Sequence, residues 1–288
     1  MKPFSRIISG TMTWGAWGSK FSIKQMQALI EKAVSLEIST FDHADIYGGY
    51  TTELEFGKAF KKSAVNREDV QFITKCGIQM PCNARPLPVK HYDYSAVHIR
   101  NSVEDSLLKL NTDYIDLLLL HRPSPLMESH IIAEEVQRLQ KEGKVKQLGV
   151  SNFSSSQIQL LQQEVSLYWN QLECSLTYEN AMFDGTLDFM KLTNIGAMAW
   201  SPLGNYFKES TIKQNRIQEV ITPLCKKYNC SEDQLLLAWL IYHPSNIFPV
   251  VGTTSGSRLK KAVDSTAIKL EKIDWFLMLE ASMGNPLP

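Results

Sequence analysis

Two kinds of apolar pattern alternate along this chain. The first is a short unbroken run: residues 115–120 read IDLLLL, 71–75 QFITK and 196–200 GAMAW. Runs this short, without polar alternation, suit strands covered on both faces, as in a parallel sheet. The second is helical spacing. Ile23, Met26, Ile30 and Ala33 share one stripe, and Ile99, Val103 and Leu107 recur at every fourth position. The runs are ISGTM, STFD, VQFITK, IDLLLLH, VKQLGV, LYWNQLE, IGAMAWS and IFPVV, and a helical stretch follows each. Two helices follow the seventh run, at roughly 211–228 and 232–242, and one from about Gly256 to Ala267 follows the last. Gly143 is placed to end one helix and Ser154 to cap the start of the next. DWFLMLEASM near the end predicts one short closing helix.

Eight strand–helix units in 288 residues predict a (β/α)8 TIM barrel, with residues 1–288 forming a single domain. The alternative is a doubly wound sheet. Its best marker is Gly-x-Gly-x-x-Gly after the first strand, and here the first turn reads GTMTWG. The segment from Met80 to Tyr94, with three prolines, is read as a long loop at the barrel mouth.

A barrel gives the polar strand ends a common address. The carboxyl ends of parallel strands form one mouth, so Asp42, Lys75, His121, Ser151, Asn152, Gln171 and Ser201 are predicted to meet there. Asp42, Tyr47, Lys75 and His121 make a chemically coherent set. A phenol is a poor acid at neutral pH, and a neighbouring ammonium lowers its pKa. A carboxylate keeps that ammonium charged and oriented, and a histidine can position a carbonyl oxygen. Such a set can protonate a developing alkoxide, which is half of a carbonyl reduction; a hydride donor supplies the other half.

Composition narrows the classes. Lys plus Arg and Asp plus Glu both number 30, with no basic cluster to suggest nucleic acid or an anionic membrane. No apolar run reaches spanning length, and MKPFSRIISG lacks a signal-peptide core, so a cytoplasmic location is expected. Five cysteines without a Cys-x-x-Cys pair read as free thiols, and no metal-ligand cluster is visible.

The motifs resemble the aldo-keto reductase superfamily, and in its order. FDHADIYG is similar to the motif in which Asp precedes the catalytic Tyr by five residues; ITKCG carries the Lys and LLLHRP the His. GVSNF and NQLE match nicotinamide contacts, AWSPLG the seventh-strand motif, and PVVGTTSGSRLKKA the segment that holds the adenosine phosphate. The GTMTWG opening and short tail resemble a bacterial oxidoreductase branch.

The resemblance implies Tyr47 as general acid, Lys75 and Asp42 as its tuning pair, and His121 as substrate orienter. It implies that Ser151, Asn152 and Gln171 bond the carboxamide and that Trp200 stacks on the nicotinamide. Ser201, Leu203 and Gly204 would line the pyrophosphate, and Arg258, assisted by Thr253, would grip the 2′-phosphate of NADPH. Thr11, Met12, Gly252 and Thr254 complete the implied cofactor contacts. Two departures bear on the adenine end: many members have Lys where this chain has Gly252, and Glu-Asn where it has Lys261 and Ala262.

The implied activity is NADPH-dependent reduction of a small carbonyl substrate without a metal; the oligomeric state is left open, with a monomer favoured. The alternative is an NADPH-binding redox-sensing or regulatory subunit with slow turnover. Trp14 and Trp17 are read as either pocket border or loop packing, and so are Tyr92 and Tyr94. His43 and His91 are assigned to core or surface.

Overall fold

In a computed structural model that describes residues 2–287, ten strands run in chain order. They are β1 (Ile8–Gly10), β2 (Thr40–Asp42), β3 (Gln71–Cys76), β4 (Ile78–Gln79), β5 (His91–Tyr92), β6 (Ile115–Leu120), β7 (Val145–Ser151), β8 (Trp169–Glu173), β9 (Gly196–Trp200) and β10 (Phe248–Val251). Eight of them close into a barrel in the order β1-β10-β9-β8-β7-β6-β3-β2, and every pairing is parallel. These eight are the continuous apolar runs. Burial on both faces explains their lack of alternation: β3 and β6 are buried at all six positions.

Ile8, Ile73, Leu117, Leu119, Met198 and Val250 fill the barrel interior. Phe4, Trp169 and Phe248 close it at the amino ends of the strands, with the Arg6 guanidinium 4.7 Å from the Phe248 ring centre. With that end plugged, the polar strand ends face the other mouth.

The outer layer is helical. In Ile23–Ser35 the stripe Met26, Leu29, Ile30 and Ala33 is buried, and burial of each large side chain contributes about 1.5–3 kcal/mol. Ser154 caps Ser155–Gln162 in a capping box with Gln157, and Gly143 takes φ 75° just past Ser129–Lys141, so both expected helix ends hold. The paired helices after β9 run Ile212–Tyr228 and Glu232–Tyr242.

Three segments differ from the pattern. The stretch read as a loop from Met80 begins beside an antiparallel hairpin, in which Ile78 pairs with Tyr92 and Gln79 with His91. Two-residue strands are too short to show a period. AMFDGTLDFMKL divides into a 3-10 turn, Asn180–Met182, and a helix, Thr186–Leu192, because the Asp184 carboxylate accepts from the Thr186 N–H and starts a new helix there. The last barrel helix ends at Asp264, and Ser265–Ala267 tightens to 3-10.

Candidate active site

Lys75 lies near the mouth end of β3, and Asp42 ends the neighbouring β2. The Lys75 Nζ donates to both Asp42 carboxylate oxygens, at 2.7 and 2.8 Å, to the His43 carbonyl at 2.7 Å and to the Tyr47 hydroxyl at 3.1 Å. Lys75 is 1% exposed and Asp42 2%. Burial is the largest single influence and acts to lower the lysine pKa, yet the charges and hydrogen bonds of Asp42 and Tyr47 together overcome it and the net shift is upward. The ammonium therefore stays charged inside the protein. From across the barrel, the Gln171 Nε2 donates to Asp42 Oδ1 at 2.8 Å.

Backbone bonds and a turn deliver Tyr47 to this cluster. The His43 N–H reaches the Ile73 carbonyl at 2.8 Å and the Asp45 N–H reaches that of Lys75 at 3.1 Å, so the chain leaving β2 stays on β3. Directly after Tyr47, Gly48 and Gly49 adopt φ 63° and 67° and turn the chain away. A Cβ on Gly48 would lie 2.4 Å from Thr52 Oγ1, so a side chain there meets both strain and a clash. The expected downward tuning of the phenol is only part of the balance. Burial raises the Tyr47 pKa, the Lys75 ammonium opposes it, and the net shift is upward.

The His121 ring stands 6.1 Å from that of Tyr47, at 76° to it. Burial first, then the charges of Lys75 and Arg122, push its pKa well below the usual range. The imidazole is thus neutral near pH 7. Its Nδ1 finds no hydrogen-bond partner among the described residues.

A second group forms the adjoining wall. The Trp200 Nε1 donates to Asn152 Oδ1 at 3.0 Å, and Asn152 Nδ2 donates to Ser151 Oγ at 2.7 Å. Asn152 takes φ 60°, a left-handed conformation that Asn tolerates better than most residues. Ser151 pairs in register with Gln171. The Thr11 hydroxyl is committed within the protein, to the Asp42 carbonyl at 3.0 Å and His43 Nδ1 at 2.9 Å, while Met12 is exposed. His43 is accordingly a buried, bonded core histidine.

Arg122, which the strand-end pattern does not single out, also sits at this wall. Its Nη1 donates to Ser151 Oγ at 3.2 Å and to the His121 carbonyl at 3.3 Å, and its guanidinium carbon lies 5.4 Å from the Trp200 ring centre. The two early tryptophans separate. Trp14 is fully buried against Phe41 and Phe56, whereas Trp17 is 42% exposed with its ring 6.1 Å from that of Tyr47. Tyr94 is buried and supports the backbone, donating to the Arg122 carbonyl at 2.5 Å.

The remaining residues lie where β9 and β10 end. Ser201 and Gly204 take φ 49° and 54°, with Leu203 half-buried between them. Past β10, Thr13 Oγ1 donates to the Gly252 carbonyl at 3.1 Å, which ties the first and last strand loops together. Thr253, Thr254 and Ser255 lead into the helix Gly256–Asp264, whose first turn carries an exposed Arg258. A helix start offers free N–H groups and a positive dipole end, and Arg258 adds a full charge. Space beside Gly252 is open, with nothing within 4 Å of an added Cβ. An indole, amide and hydroxyl donors at 151–152, and a cationic helix start suit the three parts of a nicotinamide dinucleotide: ring, carboxamide and phosphate.

A family model described as the aldo/keto reductase family matches residues 6–281. The chain is similar to an uncharacterized oxidoreductase of Bacillus subtilis, YcsN, with 40% identity over 291 residues, covering 99% of this chain and 96% of that protein. A 6-dehydroglucose reductase of Agrobacterium fabrum is 36% identical over 284 residues, covering 98% and 95%. Among solved structures, the glycerol dehydrogenase of Gluconobacter oxydans superposes with a TM-score of 0.87 at 21% identity, covering 100% of this chain and 95% of that one. An aldo/keto reductase from Klebsiella pneumoniae, solved with NADP and acetate, gives 0.80 at 22% identity, covering 99% and 93%. At such identities these two structures speak to the fold alone.

Proposed function

This chain belongs to the aldo/keto reductase family, and from that premise we propose that it reduces aldehyde or ketone carbonyls to alcohols with NADPH, Tyr47 serving as general acid. The observation that carries this reading is the buried chain Asp42–Lys75–Tyr47, closed by bonds of 2.7 and 3.1 Å. Among the described residues this deeply buried lysine has one ion-pair partner, Asp42, and spends a further bond on a phenol oxygen. That arrangement stabilises the phenolate left after a proton departs.

NADPH, when bound, supplies a hydride to the carbonyl carbon. Trp200 offers an aromatic face to its nicotinamide, while Ser151, Asn152 and Gln171 offer hydroxyl and amide groups to its carboxamide. Arg258, with Thr253 and Thr254, takes the 2′-phosphate; Ser201, Leu203 and Gly204 line the pyrophosphate; Met12 and Gly252 complete the contacts, and the buried Thr11 supports them from behind through its bonds to Asp42 and His43. The neutral His121 orients the substrate oxygen toward the Tyr47 hydroxyl without competing for its proton. Tyr47 then donates its proton to the developing alkoxide, and Lys75 balances the charge left behind.

Tyr47→Phe tests the assignment. A stopped-flow single turnover with 4-nitrobenzaldehyde should slow by about 10²–10⁴-fold, the usual value of general acid catalysis. NADPH affinity should be nearly unchanged, since the hydroxyl serves the proton and not the dinucleotide. A variant keeping over about a tenth of the wild-type rate would take Tyr47 out of the acid role.

A further inference from the structure

Arg122 is held in a way that leaves most of its donors unused. A guanidinium has five N–H bonds. The two hydrogen bonds that fix it, to Ser151 Oγ at 3.2 Å and the His121 carbonyl at 3.3 Å, both leave from Nη1. Nε and Nη2 make no hydrogen bond to the protein among the described residues, and no carboxylate pairs with Arg122 there. The Trp200 ring, 5.4 Å from its carbon, and the Tyr94 hydroxyl on its backbone carbonyl restrict its movement. This is a half-buried, pre-oriented cation with an unpaired Nε–Nη2 edge, held between His121, Ser151 and Trp200.

Its electrostatic setting points the same way. Lys75, Arg122 and the loop residue Lys90 all act on His121 as positive charges. Asp42 pairs with Lys75 at 2.7 Å, which leaves Arg122 and Lys90. Glu173, half-buried at the end of β8, acts on Arg122 from beyond ion-pair distance. A mouth with surplus positive charge beside low-dielectric walls attracts anions.

We infer that Arg122 is a specificity-determining residue that selects carbonyl substrates bearing a carboxylate within a few bonds of the reacting carbon. Arg122 bonds the His121 carbonyl and lies close enough for its charge to act on both Tyr47 and His121, so a substrate whose carbonyl meets those two residues can bring a nearby carboxylate to the free Nε–Nη2 edge. That edge matches a carboxylate in two parallel bonds. The inference rests on the carbonyl-reductase reading above.

Three aldehydes separate the two claims. Succinic semialdehyde and its methyl ester differ in charge while the aldehyde stays chemically similar, and 4-nitrobenzaldehyde reports the basal reaction. Wild-type kcat/KM should favour the acid over the ester by roughly tenfold to a hundredfold, the value of hydrogen bonds to a charged group. Arg122→Met should collapse the acid-to-ester ratio toward one, with the loss mainly in KM for the acid, and Arg122→Lys should restore part of it. A wild type that uses acid and ester equally overturns the inference, as does an Arg122→Met enzyme that keeps its acid preference. Turnover of none of the three aldehydes would instead sink the carbonyl-reductase reading, and this inference with it.

Discussion

The Lys75 ammonium lies 3.1 Å from the Tyr47 hydroxyl and 5.0 Å from the centre of the same ring, so one buried charge addresses both the oxygen and the π-face. Among the described residues its only carboxylate partner is Asp42, and Gln171 bonds that carboxylate in turn. Activity and stability are therefore coupled through Lys75 and can be separated by experiment.

Lys75→Met should cost about 3–5 kcal/mol, because it strands the buried Asp42 charge. Adding Asp42→Asn should recover much of that stability, since the amide oxygen can still accept from Gln171. Turnover should not recover, because the phenol then lacks the ammonium that most strongly opposes the upward pull of burial on its pKa. Urea unfolding and single-turnover rates on both variants decide it. A double variant with near-wild-type turnover would remove the ammonium from the mechanism.

Much of this site could be read at strand ends, because the barrel converts a sequence position into a spatial one. Asp42, Lys75 and His121 each close an apolar run, and the fold brings them together. Arg122 could not be read the same way. A cation after a strand is ordinarily solvated, and what distinguishes this one is its bond to Ser151, 29 positions away. The two tryptophans of the first loop looked equivalent in sequence, and only packing sends Trp14 into the core while Trp17 borders Tyr47. The direction of the Tyr47 shift was also out of reach, since burial is a property of the whole fold.

Stability should fall on mild acidification. His43 and His121 are both buried, and burial pushes each pKa well below 6.5. Below about pH 6.5 the unfolded chain takes up protons at these positions that the native state does not, so unfolding becomes easier as pH drops. The loss should grow as pH falls below about 6.5 and level off only below the folded pKa values. His43→Gln should remove about half of this dependence. Urea midpoints at pH 7.5 and 5.5 measure it, and equal slopes in variant and wild type would show that His43 titrates normally.

Trp200 should report the dinucleotide. Its indole N–H is anchored on Asn152 at 3.0 Å, which fixes the ring plane at the wall of the mouth. NADP⁺ binding should quench part of the fluorescence. Trp200→Leu should lose that part and weaken binding by roughly twofold to tenfold, the typical contribution of an aromatic pair beyond its buried area. Five other tryptophans contribute background, so the difference between variant and wild type is the signal. An identical quench in both would place the nicotinamide away from Trp200.

The adenine end offers a substitution that should gain function. Arg258 is exposed on the first turn of the helix after β10, and Gly252, where many members carry Lys, has open space beside it and needs no left-handed backbone. Arg258→Ala should weaken NADPH binding by roughly tenfold at low salt and barely affect NADH, since only NADPH carries the 2′-phosphate. Gly252→Lys should act in the opposite sense, tightening NADPH and leaving NADH alone, because the Cβ of the new side chain meets nothing within 4 Å. Combined, the two changes should largely offset each other if both cations meet the same phosphate. Fluorescence titrations with both cofactors at two ionic strengths measure all three variants. A parallel loss of NADH and NADPH in Arg258→Ala would assign Arg258 to the fold of that loop, and a Gly252→Lys protein with unchanged NADPH affinity would move the phosphate away from the end of β10.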